Sequence, residues 1–80
     1  MIITRLKQTC HSFPSQWEGL VSNDDYLYIR FRFGRGYIEV DGKLVYEWTT
    51  DNPYGGEMTK ETLLKHLDKA GFMCDNTEWI

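Results

Sequence analysis

Tyr26-Leu27-Tyr28-Ile29-Arg30-Phe31-Arg32-Phe33 changes character at every step, and only an extended strand sorts such a stretch into two coherent faces. Leu27, Ile29, Phe31 and Phe33 fall on one side, and Tyr26, Tyr28, Arg30 and Arg32 fall on the other. A helix would mix the two sets. One side is therefore read as core, and the other as an aromatic and cationic surface that either packs under something or meets a partner.

The flanking residues place this strand within a meander. Upstream, Gln16-Trp17-Glu18-Gly19-Leu20-Val21 reads as extended, with Trp17, Gly19 and Val21 on one side, and Ser22-Asn23-Asp24-Asp25 is a turn tetrad of short polar side chains. Downstream, Gly34-Arg35-Gly36 predicts a reversal, Tyr37-Ile38-Glu39-Val40 a return strand, and Asp41-Gly42 a tight hairpin. Lys43 to Trp48 follows as a further strand, with Leu44, Tyr46 and Trp48 expected on one face. Connections this short leave no room for crossover helices, which points to an antiparallel sheet. Ile2 to Thr9 reads as an opening strand, broken off by Phe13-Pro14.

Beyond the sheet, Thr49 to Met58 has no apolar periodicity and holds Asn52-Pro53 and Gly55-Gly56 around Tyr54. Thr59 is a good N-cap for a helix over residues 60–70, with Leu63, Leu64, Leu67 and Ala70 as its apolar stripe and Gly71 just past its end. His66 reads as a solvated position on the polar side of that helix. Phe72-Met73-Cys74 is expected to dock on the core, and Asp75 to Ile80 to fray. The predicted fold class is α+β: an antiparallel sheet of four or five strands with one helix packed on one face, in a single domain of 80 residues.

Composition narrows the function. With 41% hydrophobic and 15% aromatic residues the chain is built to fold. Its net charge of −3 argues against general phosphate neutralisation on duplex nucleic acid. The charge is uneven, with six Lys/Arg against five acids in residues 1–43 and three against seven in residues 44–80, so a local basic patch is compatible with an acidic whole. No apolar run approaches a membrane span, and the N-terminus does not read as a signal peptide. The expectation is a cytoplasmic protein with Cys10 and Cys74 as free thiols.

The candidate binding surface is Tyr26, Tyr28, Arg30, Arg32 and Tyr37, extended by Arg35 and Tyr54 at the loops. Tyrosine and arginine concentrate at binding hot spots because flat rings and planar guanidinium groups bring contact area at low entropy cost. The same pairing on a sheet could stack the bases of a single strand and contact its phosphates. The competing reading is internal: Arg30 and Arg32 pair across strands with Glu18, Glu39 or Glu47, and the tyrosines cover neighbouring stems.

The remaining chemistry-bearing residues carry less. Gly34-Arg35-Gly36 is too short for a phosphate-cradling loop, and Asp24-Asp25 reads as a turn. Cys10, His11, His66 and Cys74 supply a zinc inventory without zinc spacing, and no acid or oxyanion donor accompanies a Cys-His nucleophile. No cofactor, metal or catalytic site is expected.

Pro14-Ser15-Gln16-Trp17-Glu18-Gly19 followed by Tyr28-Ile29-Arg30-Phe31-Arg32-Phe33-Gly34 resembles small phage and bacterial proteins in which Cys-Pro-Ser-Gln-Trp-Glu-Gly precedes a Tyr-Ile-Arg-Tyr-Arg strand. The likeness covers residues 14 to about 40, and Phe13 stands where that pattern has cysteine, so no metal or redox role of that cysteine carries over. No activity is attached to the pattern. It implies a phage or mobile-element context, in which small acidic proteins act by occupying a surface of a host machine. The expected function is thus a non-enzymatic module that binds a host protein or complex, as a monomer or homodimer. The alternative is a single-stranded nucleic-acid binder using the same face.

Overall fold

The computed structural model describes residues 1–52 and 55–80. Its strands are β1 (Ile3–Cys10), β2 (Ser15–Val21), β3 (Tyr26–Arg32), β4 (Arg35–Val40) and β5 (Lys43–Thr49), followed by helix α1 (Lys60–Lys69) and a short β6 (Glu78–Trp79). They form one six-stranded sheet in the order β5-β4-β3-β2-β1-β6, antiparallel from β1 to β5, with β6 parallel to β1. The α+β class holds. The extra strand comes from the C-terminal residues expected to fray.

That tail is tied down by specific bonds. The Ile80 N–H donates to the Leu6 carbonyl at 2.9 Å, and the Thr77 hydroxyl donates to the Ile3 carbonyl at 2.6 Å. Lys60 lies over the Trp79 ring at 3.9 Å from its centroid, joining the first turn of α1 to the sheet edge. These contacts cover part of β1, which would otherwise be an open edge.

The core lies between one sheet face and α1. Ile3, Leu6, Val21, Leu27, Ile29 and Ile38 from the sheet meet Leu63 and Leu67 from the helix, all of them buried. Thr59 caps the helix by accepting from the Thr62 N–H at 3.2 Å. Burying each of the two leucines contributes about 1.5–3 kcal/mol. His66 is half-buried rather than solvated: its ring stacks on Trp48 with centroids 4.0 Å and planes 15° apart, and the Tyr46 hydroxyl lies 3.4 Å from Nδ1. Burial first, and Lys69 second, push its pKa below the ordinary histidine value.

Two local departures matter for the site. The first is the β3–β4 turn. Arg32 pairs with Arg35, so the reversal is made by Phe33 and Gly34, with φ values of 55° and 70°. Phe33 therefore leaves the core face and is exposed, whereas Arg35 and Gly36 belong to β4. Gly36 is required by packing, because a Cβ there would overlap the Trp48 ring. The second is a register shift in β5, where Tyr46 pairs with Ile38 but Leu44 pairs with Glu39. Val45 is the extra residue of a bulge, and Leu44 is turned away from Tyr46 onto the opposite face.

Ser15 is a fully buried polar residue with both its bonds made. Its hydroxyl donates to the His11 carbonyl at 2.6 Å and accepts from the Met58 N–H at 2.8 Å, joining the start of β2 to the segment that leads into α1. Ser15→Ala should cost about 1–3 kcal/mol, because a buried donor loses its acceptor. Urea unfolding checks this through a lower midpoint.

Candidate functional site

The face opposite α1 is the one that carries the tyrosines and arginines of the central strand. Register sets its rows: Gln16, Arg30 and Tyr37 lie opposite one another across β2, β3 and β4, as do Glu18, Tyr28 and Glu39, while Leu20 sits opposite Tyr26. On β5, Glu47 lies opposite Tyr37 and Leu44 opposite Glu39. Tyr26, Arg32 and Arg35 are exposed, and Tyr28, Arg30 and Tyr37 are half-buried. Tyr54 lies outside the described residues.

The tyrosines form a connected group. Rings of Tyr26 and Tyr28 are 6.5 Å apart with planes at 25°, and those of Tyr28 and Tyr37 are 6.1 Å apart with planes at 48°. Their hydroxyls reach sideways onto β2, where Tyr26 donates to Glu18 and Tyr28 donates to the Gln16 side-chain carbonyl at 2.9 Å. Gln16 is itself held by Thr9, its amide donating to the hydroxyl at 3.0 Å. These bonds fix where the Tyr26 and Tyr28 hydroxyls lie, and the ring contacts hold Tyr28 between Tyr26 and Tyr37. The bond to Glu18 raises the Tyr26 pKa to about 12, and the same bond lowers that of Glu18. Burial raises Tyr28 as well, so both phenols are neutral donors near neutral pH.

The arginines differ in their partners. Arg35 forms an ion pair with Glu47 at 2.8 Å. Arg32 lies over the Phe33 ring, 4.6 Å from its centroid, and Arg30 sits close enough to the Tyr28 phenol to influence its titration. Among the described residues, no carboxylate forms an ion pair with Arg30 or Arg32. The internal pairing anticipated for these two is thus made by Arg35 and, through its phenol, by Tyr26. A shallow depression of about 310 Å³ opens between Arg30, Arg32, Arg35, Tyr37 and Leu44.

Sequence reasoning named the tyrosines, the arginines and, as a cross-strand carboxylate, Glu18, and missed Gln16 and the placement of Leu44. Gln16 alternates with buried Trp17 in β2, which was signal enough to place it beside the tyrosines. Leu44 was hidden by the bulge, whose trace is the run of three apolar residues Leu44-Val45-Tyr46. Among the described residues, no group of three or more His, Cys, Asp or Glu side chains is placed to hold a metal, and both cysteines are free. No helix in the described residues is long and apolar enough to cross a membrane.

Comparison with protein-family models, with curated proteins and with solved structures finds no match. The hexapeptide Pro14–Gly19 can nevertheless be read residue by residue. Ser15 joins the β2 start to Met58, Trp17 fills the core, Gln16 and Glu18 hold the tyrosines, and Gly19 lets β1 approach. Ser15 and Trp17 thus serve the buried side of the sheet, and Gln16 and Glu18 serve the open face.

Proposed function

We propose that this chain is a non-enzymatic binding module that engages a larger protein or protein complex through Tyr26, Tyr28, Arg30, Arg32, Arg35 and Tyr37. One observation carries the reading: α1 packs on the other side of the sheet, so the Tyr/Arg face is left open with two guanidinium groups that no carboxylate in the described chain neutralises. A half-buried arginine keeps a strong preference for an anionic or aromatic partner, and tethered rings bring contact area without losing rotamer freedom on binding. The likeness to small phage and bacterial proteins supports a host protein as that partner.

Capture from a bacterial host lysate tests this. Wild-type protein should retain a defined partner, and Arg30→Glu combined with Arg32→Glu should lose it while unfolding at an unchanged urea midpoint. Retention by the folded double variant would refute the proposal.

A second reading, binding of single-stranded nucleic acid, is favoured by the Tyr26–Tyr28–Tyr37 group beside Arg30, a stacking platform flanked by charge. Against it stand Glu18, Glu39 and Glu47 on the same face and a net charge of −3. Oligothymidylate binding that falls steeply with salt would favour this second reading, and no binding at low salt would remove it.

A further inference from the structure

Resting on that binding reading, we propose that the depression between β3 and β5 is the recognition subsite for an acidic peptide segment that also carries an apolar side chain, with Leu44 as the apolar contact and Arg30 with Arg32 as the carboxylate contacts.

Leu44 is the starting point. Leu44 lies on the open face because Val45 is looped out of register and not because the sequence alternates. It is 53% exposed and borders the same depression as Arg30, Arg32 and Arg35. Arg30 and Arg32 are two apart on β3, so their side chains emerge on one face about 7 Å apart, the spacing of same-side residues in any extended peptide. Two acidic residues of an extended segment can therefore meet both. β5 lies two strands away, about 10 Å across the sheet, within reach of an apolar side chain a few residues further along the same segment.

Charge complementarity selects the occupant. The depression holds three arginines against Glu39 and Glu47, and Arg35 already binds Glu47. Its positive end is therefore at Arg30 and Arg32. Glu39, opposite Leu44, repels anions from the Leu44 end. A peptide that puts carboxylates at one end and an apolar group at the other satisfies both halves. A nucleic-acid strand, with a phosphate at every residue, would have to pass Glu39.

Fluorescence anisotropy at low salt with four labelled probes tests this: dodecapeptides of Glu-Glu-Leu-Leu, Glu-Glu-Ser-Ser and Lys-Lys-Leu-Leu repeats, and oligothymidylate. The Glu-Glu-Leu-Leu peptide should bind at least tenfold more tightly than the Glu-Glu-Ser-Ser peptide. Leu44→Ser should remove that advantage without changing Glu-Glu-Ser-Ser binding, and Glu39→Gln should strengthen both acidic peptides. Leu44 is exposed and Glu39 forms no ion pair among the described residues, so urea midpoints should match wild type. An advantage that survives Leu44→Ser, equal binding of the lysine peptide, tighter binding of oligothymidylate, or no peptide binding would each overturn the inference. If peptide binding fails while capture of a protein partner still depends on Arg30 and Arg32, the subsite is wrong and the binding reading stands. If capture is also indifferent to those arginines, both fall.

Discussion

Gly19→Ala should be among the most damaging single-methyl changes in this protein, lowering stability by about 3 kcal/mol, the upper end for overpacking. Gly19 lies in β2 between Leu6 of β1 and Leu27 of β3, and a Cβ built on it would overlap the Arg5 carbonyl carbon and oxygen. A flexible side chain could swing aside, but the obstacle here is backbone. Relief requires β1 to move away from β2, close to the register shift between Ile3 and Arg5. An 80-residue chain has a total stability of roughly 4–12 kcal/mol, so the loss is a large share of the whole. Urea unfolding should show a sharply lowered midpoint, and a midpoint within error of wild type would show that the two strands are not in such close contact.

Leu67→Ala should cost about 2–5 kcal/mol. Leu67 is 1% exposed and with Leu63 makes the buried face of α1, so truncation leaves a cavity between helix and sheet. The effect should appear as a lower urea midpoint with an unchanged slope, since the surface exposed on unfolding barely changes. Set beside this, a change at exposed Arg32 should move stability by no more than about 0.5 kcal/mol, as surface substitutions usually do. The contrast expresses the two-sidedness of the sheet, one face holding the fold together and the other available for contact.

Much of that two-sidedness was legible from local rules. Strict alternation in Tyr26–Arg32 located the central strand and both its faces, Asp41-Gly42 located a hairpin, and Thr59 with Gly71 bracketed the helix, because each signal depends on neighbours in the chain. What escaped depends on distant partners. Glu78-Trp79 is a strand only because β1 offers an unpaired edge to it, and His66 is half-buried only because Trp48 stands across the interface. Phe33 was assigned to the core by extending an alternation one residue too far, into a two-residue turn. At the site, residue types announced the tyrosines and arginines. Which arginine binds which carboxylate was decided by register, and a bulge marked only by the apolar run Leu44-Val45-Tyr46 brought Leu44 onto the face.

Aromatic carbon-13 spectra of the labelled protein, recorded before and after addition of the partner captured by the wild-type chain, test the central claim most directly. Resonances of the Tyr26, Tyr28 and Tyr37 rings should shift or broaden, while those of Trp48 and His66, beneath the other face, stay in place. Movement of Trp48 and His66 with the three tyrosines unchanged would put the partner on the helix side and contradict the claim.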